Sequence, residues 1–373
     1  MFSLDRFYYI LHNNLISRFD NSKSIYFEPF GTYEACRILT KPHNSSNNIW
    51  LHAYFYDQEP IYDNDMLKKF ILGYTVVSPN RINIIANSEK SDLKNELLSQ
   101  KNLRDWYYFF HGFAALDWYR DFQYVKQESF EDFTKVFICY NHLTSKYRSY
   151  RLHLVSNLIS QDLAKFGKIS LFLDNWRSTI EDPNCLLDSK AKVTIYNTLK
   201  NVTESLIIDT DTPDGTLSAN IKLESLTDAL WHIVTETVYF QPKLHLTEKV
   251  FKPIIAQRPF ILVAAMGNLA YLKSYGFKTF DRWINESYDL EPDNYTRIEK
   301  ITQEIARLCA MPMPQLKQMH EEMQEILKFN HAHFYGEFRT IITNELVDNF
   351  GAILSNNNLP CDYLDDVKQR LLK

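Results

Sequence analysis

The sequence predicts an α/β protein of two domains with a parallel sheet in each. Short apolar runs that end in polar residues and lead into helical segments recur along the chain, which is typical of βα units. Residues 121–134 are charged, lack a clear period and separate an earlier from a later series of such units. At 373 residues, the chain is long enough for two domains of ordinary size.

Composition excludes several classes of protein. Hydrophobic residues make up 45% and charged residues 23%, as in a globular protein. A net charge of −5 argues against bulk electrostatic binding to nucleic acid, although it leaves room for a local basic groove. The five cysteines have no metal-ligand spacing and are interpreted as free thiols. Asp5 and Arg6 stand where a signal peptide needs an apolar core, and no apolar run approaches the ~18 residues of a membrane span, so we expect a soluble cytoplasmic protein.

The first domain, predicted over residues 1–130, contains three strands that each precede a helix. Ligands bind at the carboxyl ends of strands in open α/β sheets, so the polar residues there are candidates for a site. The strands are predicted over residues 49–56, 81–86 and 106–110. The polar residues that follow them are Asp57, Glu59, Asn87, Glu89 and His111.

The second domain, predicted over residues 131–345, contains the stretch on which the functional argument depends. An apolar segment ends at Glu236, and a polar loop leads to a helix that begins at Thr247 and Glu248. A helix N-terminus carries roughly half a positive charge and free N–H groups, which suit a phosphate. The alternative is that Thr247 is only an N-cap and Glu248 only matches the helix dipole. Further strands are predicted over residues 135–140, 169–173, 259–265 and 277–280.

Helices complete the prediction. One begins at Arg148 and Arg151 and reaches residue 166. Amphipathic periodicity predicts the later helices, and residues 346–373 are predicted to form a helical C-terminal tail. These later helices are predicted over residues 268–275, 297–308, 313–329, 334–349 and 362–372.

Two places in the second domain carry a resemblance to a known family. In the first, a strand ends in Tyr140 and Asn141 and is followed by a helix that starts with Arg148 and Arg151. The second consists of two short segments, Thr235-Glu236-Thr237 and Thr247-Glu248-Lys249. Together they resemble the α1,3-fucosyltransferases over residues 136–265. The chain is also similar to glycosyltransferase-like proteins of tailed-phage genomes, including residues 277–289.

The resemblance implies the GT-B architecture, in which two Rossmann-like domains face each other across a cleft. It also implies an inverting glycosyltransferase that takes a sugar from a nucleotide-sugar donor and passes it to the hydroxyl of a glycan or another acceptor. Cationic groups would stabilise the departing diphosphate, so no metal or other cofactor is expected. Asp209 and Asp211 have the spacing of a metal motif but are interpreted as a turn.

The resemblance implies a role for each donor-site residue. Arg148 and Lys249 would contact the diphosphate, with Arg151 as the second choice. Where Arg151 has no such role, it would lie on a solvated helix face. The remaining roles are a ribose contact for Glu248, a donor-sugar contact or orientation of Lys249 for Glu236, and a phosphate contact for Asn141. The structural alternatives are a strand-end ion pair for Glu236 and a turn for Asn141.

The general base would come from the first domain and lie within hydrogen-bonding reach of the acceptor. Glu59 is the first candidate, followed by Asp57 and then His111. Two other functions remain open. One is a phage-type DNA glycosyltransferase that acts on a hydroxylated, flipped-out modified base. The other is a non-catalytic nucleotide- or sugar-binding protein of the same fold.

Overall fold

The chain is an α/β protein with parallel sheets, which confirms the predicted class. A computed structural model divides it into a first unit, residues 1–122 and 336–373, and a second unit, residues 123–335. No helix that the structure describes is long and apolar enough to cross a membrane. The described residues are 7, 10, 11, 15, 50–56, 60, 81–100, 103–122, 133–144, 146–173, 175–206, 208 and 226–373.

The first unit contains a three-stranded parallel sheet in the order β1-β2-β3. The strands are parallel, and their register pairs Trp50 with Arg81 and Asn83 with Leu103. The elements are β1 (Trp50–Tyr56), β2 (Arg81–Asn87), α1 (Asp92–Gln100), β3 (Leu103–Tyr107) and α2 (Phe110–Leu116), which continues as a π-helical turn over Asp117–Phe122.

The strand predicted over residues 106–110 is displaced. β3 spans Leu103–Tyr107. It lies at the end of the described strand order, and Arg104 and Asp105 are exposed, so the strand does not show a continuous apolar run. The apolar run instead continues past the strand into α2. The predicted placement of His111 at a strand end is therefore wrong, because His111 lies inside α2.

The second unit contains a four-stranded parallel sheet in the order β5-β4-β6-β7. β6 and β7 are buried along their whole length, as expected for parallel strands that are covered on both faces. The elements are β4 (Lys135–Cys139), α3 (Tyr150–Ser160), β5 (Gly167–Ile169), α4 (Trp176–Glu181), α5 (Ser189–Leu199), β6 (Ala229–Thr235), α6 (Phe251–Ile255), β7 (Phe260–Val263), α7 (Asn268–Ser274), α8 (Asn294–Cys309) and α9 (Met313–Tyr335).

Three predicted elements of this unit differ from the structure. The strand predicted over residues 169–173 is displaced, because β5 spans Gly167–Ile169. The helix predicted to reach residue 166 ends at Ser160, because Asp162 adopts the left-handed conformation with φ of 58°. The strand predicted over residues 277–280 is a loop. Its apolar pattern reflects packing on the sheet, since the Phe280 ring lies 5.7 Å from that of Trp231 and 5.2 Å from that of Phe260.

Two C-terminal helices, α10 (Phe338–Asn356) and α11 (Leu364–Leu372), belong to the first unit. Residues 346–373 are thus not a separate tail. The Trp106 indole donates to the Leu346 carbonyl at 3.1 Å, and the Asn349 amide donates to the Tyr107 carbonyl at 2.8 Å. These bonds join α10 to the end of β3, so two stretches far apart in sequence form one packed unit.

Candidate functional site

The candidate site lies in the second unit, where β4 and β6 end. β5 pairs with one side of β4, and β6 pairs with the other side. The order in which strands are added to the sheet therefore reverses between β4 and β6. Such a switch point is where open α/β sheets bind ligands, at the carboxyl ends of the strands. Asn141 follows β4 closely and Glu236 follows β6 directly. The Thr235 hydroxyl donates to the Tyr140 carbonyl at 2.9 Å and holds the two strand ends together.

Glu236 binds the segment that begins the helical turn at Thr247. Its carboxylate accepts hydrogen bonds from the Thr247 amide at 3.2 Å and from the Thr247 hydroxyl at 2.5 Å. The same hydroxyl lies 3.3 Å from Nζ of Lys249, from which it accepts a hydrogen bond. Glu236, Thr247 and Lys249 therefore form a chain of hydrogen bonds, referred to below as the Glu236–Thr247–Lys249 chain.

Burial makes the Glu236 carboxylate an unusual acid. Its exposed fraction is 0%, and this desolvation raises its pKa, against the lowering effects of the Lys249 charge and the Thr247 hydrogen bonds. The Thr247 amide and hydroxyl are already bonded to this carboxylate. A phosphate at this helical turn would therefore bind other groups, such as the Lys249 ammonium, whose side chain is 34% exposed.

Lys249 and Glu248 form an ion pair at the entrance to this helical segment. Nζ of Lys249 lies 3.1 Å from the Glu248 carboxylate. The Lys249 side chain is 34% exposed, whereas that of Glu248 is 5% exposed. Thr247 is the N-cap, with a side chain that accepts from the Lys249 amide, as the structural alternative for this residue held. The cation is thus open to solvent, and its carboxylate partner is mostly covered.

Arg151 joins the loop after β4 to the end of β6. Its guanidinium donates to the main-chain carbonyls of Leu143 at 2.8 Å, Thr235 at 2.8 Å and Glu236 at 3.1 Å. Arg151 is 3% exposed, so the solvated helix face considered as its alternative is wrong. With most of its N–H donors bound to the main chain, Arg151 positions the two strand ends and adds a buried positive charge beside them.

Aromatic residues that the sequence did not single out hold the loop after β6. The Tyr150 hydroxyl donates to the Glu236 carbonyl at 2.5 Å, and its ring stacks on that of Tyr239 at 4.3 Å. The Arg297 guanidinium lies 4.5 Å from the centre of the Tyr239 ring. Burial raises the pKa of Tyr150 to about 12, so the phenol stays protonated and donates. With 23 tyrosines in the chain, no sequence signal marks these two.

Asn141 is fully buried at the end of β4. Its main-chain N–H donates to the Ser170 hydroxyl at 2.9 Å, and its side-chain Nδ2 donates to the Cys139 sulfur at 3.2 Å. Burial raises the pKa of the Cys139 thiol to about 12, so the sulfur stays neutral. Among the described residues, no group hydrogen-bonds to the Asn141 Oδ1 atom. An acceptor in this position suits a hydroxyl or amide donor rather than a phosphate oxygen.

The other predicted site residues have different settings. Arg148 is half-buried in a 3-10 turn, Lys146–Arg148, that leads into α3. His111 is buried within α2 of the first unit. Asp57 and Glu59 lie outside the described residues. The structure thus brings Asn141, Arg151, Glu236, Glu248 and Lys249 to one edge of one sheet, and the base remains a prediction.

The described part of the chain holds no group of three or more His, Cys, Asp or Glu side chains placed to bind a metal ion. Asp209 and Asp211 lie outside that part. The independence from metals stays a prediction.

Comparison with known proteins gives no relative. No protein-family model matches the chain, and no significant match was found among curated proteins or among solved structures.

Proposed function

We propose that the protein is a glycosyltransferase that moves a sugar from a nucleotide-sugar donor to an acceptor hydroxyl, with inversion and without a metal. The second unit would bind the donor, and the two units would correspond to the two Rossmann-like domains of a GT-B enzyme. The observation that carries the proposal is the Glu236–Thr247–Lys249 chain, which holds a solvent-accessible ammonium beside the switch point of a parallel sheet.

The cation serves the leaving group. A nucleotide diphosphate gains negative charge as the bond to the sugar breaks, and a cation fixed beforehand stabilises that charge without reorganisation. Lys249 is the first candidate because Thr247 and Glu248 fix its ammonium while its side chain stays partly exposed. Arg148 is the second. Arg151 acts as a positioning residue, since its guanidinium is bound to main-chain carbonyls.

The buried acceptors select the donor. Asn141 Oδ1 would accept from a hydroxyl or an N–H group of the nucleotide or its sugar. Glu248 would accept from ribose hydroxyls at the edge of its ion pair with Lys249. Both contacts would form on binding, and a donor that lacked the hydroxyl or amide matching Asn141 would leave the buried Oδ1 atom of that residue without a hydrogen bond.

The reaction is a single displacement. The acceptor oxygen bonds to the anomeric carbon while the bond from that carbon to the diphosphate oxygen breaks, and the acceptor proton passes to the base. The anomeric configuration inverts. Glu59, Asp57 and His111, in that order, are the candidates for the base, each as a carboxylate or neutral imidazole that takes up the proton.

A thermal-shift panel tests donor binding. GDP, UDP, CDP, ADP and their common sugar conjugates are added to wild type, Lys249→Ala, Glu248→Ala and the control Lys190→Ala, which removes an exposed lysine of α5. A ligand at about 100 times its Kd stabilises the fold by roughly 2.7 kcal/mol. We expect one nucleotide to stabilise wild type and the control, and to bind at least several-fold more weakly to the two site variants.

The outcomes separate the competing functions. No stabilisation by any nucleotide, or equal stabilisation of all four proteins, contradicts the donor site. Binding without hydrolysis or transfer to any acceptor supports a non-catalytic binding protein. Binding to duplex DNA that weakens steeply with salt supports a modified base as the acceptor.

A further inference from the structure

A buried amide in the second unit holds the loop between β6 and the candidate site. Asn268 is the first residue of α7 and is 0% exposed. Its Nδ2 atom donates to the Lys243 carbonyl at 2.9 Å and to the Ala265 carbonyl at 2.8 Å. Its Oδ1 atom accepts from the main-chain N–H of His245 at 3.0 Å. Both N–H donors of the amide are therefore used, and the side chain joins the end of β7 to the loop.

These three bonds fix the orientation of the Asn268 amide. A reversed amide would set its oxygen against the carbonyls of Lys243 and Ala265, and its N–H groups against the N–H of His245. Each of these contacts is repulsive, and in a buried position the lost bonds are not replaced by bulk solvent. An ionised aspartate has the same shape but no N–H donor, so it cannot make the two bonds to the carbonyls.

Asp289 holds the start of α7, so Asn268 is attached to a fixed support. The Asp289 carboxylate accepts from the main-chain N–H groups of Leu269 at 3.0 Å and Ala270 at 3.3 Å. Its main-chain carbonyl accepts from Gly267 at 2.8 Å. Gly267 has a φ of 85°, in the left-handed region that glycine adopts without strain. The helix start from which the Asn268 side chain reaches the loop is thus bonded on both sides of that residue.

The loop held by Asn268 leads directly into the Glu236–Thr247–Lys249 chain. His245 lies two residues before Thr247, whose hydroxyl donates to Glu236 and accepts from Nζ of Lys249. Asn268 therefore fixes this short segment through the main chain at His245, and Glu236 fixes it through Thr247. A shift at the first point changes the geometry at the second, because only one residue separates His245 from Thr247.

We propose that Asn268 is a positioning residue of the donor site, which sets the place of the Lys249 ammonium without contact with the donor. Without the amide, two carbonyls and one N–H lose their hydrogen bonds, and the loop moves so that water can satisfy them. Thr247 then moves relative to Glu236, and Lys249 moves with it. The effect on nucleotide binding rests on the proposed function, whereas the effect on the loop does not.

Asn268→Ala and Asn268→Asp test the assignment, and Asn330→Ala is the matched control. Asn330 is also buried, and its side-chain amide also donates to and accepts from the main chain, with both bonds to Lys278 at 2.8 Å. Hydrogen exchange of residues 243–249 is measured on the full chain at a temperature at which circular dichroism shows every variant folded. The Kd is measured there for whichever of GDP, UDP, CDP and ADP stabilises wild type most. Asn268→Asp keeps the packing volume if Asn268→Ala does not fold.

We expect hydrogen exchange in residues 243–249 to accelerate at least about tenfold in both Asn268 variants and to keep the wild-type rate in Asn330→Ala. The nucleotide Kd should rise several-fold in the Asn268 variants and stay unchanged in the control. In a Lys249→Ala background, Asn268→Ala should raise the Kd by less than about twofold, because both changes act through one side chain. A loss of stability alone would not produce this non-additivity.

Unchanged exchange of residues 243–249 in the folded Asn268 variants overturns the proposal, and so does equal acceleration in Asn330→Ala. Fully additive changes of Kd in the double variant also overturn it, because Asn268 then acts on binding independently of Lys249. Failure of wild type to bind any nucleotide contradicts the proposed function instead, and the exchange measurement still decides whether Asn268 holds the loop.

Discussion

A single hydroxyl links the carboxylate and the cation of the candidate site. Thr247 donates to Glu236 at 2.5 Å and accepts from Nζ of Lys249 at 3.3 Å. A hydroxyl has one donor and two acceptor positions, so it can serve both partners at once. The buried Glu236 carboxylate and the partly exposed Lys249 ammonium thus both hydrogen-bond to the Thr247 hydroxyl oxygen. The position of Lys249 therefore depends on the uncharged Thr247 as well as on its ion pair with Glu248.

Thr247→Val tests this link, because valine keeps the shape of threonine and removes the oxygen. Glu236 then loses its only hydroxyl donor among the described contacts while it stays buried. We expect a loss of about 1–3 kcal/mol in the free energy of unfolding, measured by urea denaturation. Thr194→Val on α5 removes a hydroxyl that bonds only to its own helix at 3.1 Å and should cost at most about 0.5 kcal/mol. Equal losses would show that the Thr247 hydroxyl has no special role.

At the scale of elements, α10 completes the first unit. Its residue Phe350 places its ring 4.8 Å from that of Trp106 on β3, and the Trp106 indole in turn donates to the α10 main chain at Leu346. An aromatic contact and a hydrogen bond therefore act on the same strand. The stability of β3 depends on a helix more than two hundred residues later in the chain.

Phe350→Ala should therefore loosen the end of the first sheet. Truncation of a fully buried phenylalanine costs about 3–5 kcal/mol, because the cavity that it leaves closes only in part. Hydrogen exchange should accelerate in Leu103–Tyr107 and remain slow in Ala229–Thr235 of the second unit. Phe329→Ala, at a position that is 39% exposed, should leave both strands protected. Equal acceleration in both strands would contradict the division into two units.

Local sequence pattern predicted some of these elements and missed others for a physical reason. β6 and β7 are buried on both faces, so their side chains form the apolar runs that mark a strand. β3 has exposed charges at Arg104 and Asp105 and therefore shows no such run. The same reasoning applies to the candidate site. The local sequence marks its residues at strand ends and helix starts. The stack of Tyr150 on Tyr239 joins positions far apart in the chain, so no local sequence pattern predicts it.

Two of the buried histidines in the described part of the chain, His232 and His320, affect the response of the whole molecule to acid. Burial is the main cause that lowers the pKa of His232 to about 4 and that of His320 to about 4. His232 donates from Nε2 to the Leu226 carbonyl at 2.8 Å, and the His320 Nε2 atom lies 3.0 Å from the Arg258 guanidinium. Both rings therefore stay neutral in the folded state above about pH 4.

Stability should therefore fall as the pH drops from about 6.5 to about 4. In that window the unfolded chain binds protons at these histidines and the folded chain does not, so the free energy of unfolding decreases. Each neutral histidine adds roughly 3 kcal/mol to the free energy of unfolding at neutral pH. This stabilisation is lost below about pH 4. The raised pKa values of Glu236 and Asp289, both due first to burial, act in the opposite direction.

His232→Gln isolates one contribution, because glutamine does not titrate. Thermal unfolding between pH 4 and 7 should show a shallower loss of Tm in this variant than in wild type. His142→Gln, at an exposed position, should keep the wild-type slope. A His232→Gln slope as steep as that of wild type would contradict the assignment.

The division into units also bears on synthesis by the ribosome. The first unit is built from residues 1–122 and 336–373, and the second from the residues between them. The ribosome synthesises the N-terminal strands of the first unit long before α10. The second unit is continuous in sequence, so its chain is complete before that of the first unit. Trp106 and its neighbours on β3 therefore lack their contacts with α10 until that helix is synthesised, and we expect them to be open to chaperone binding during that interval.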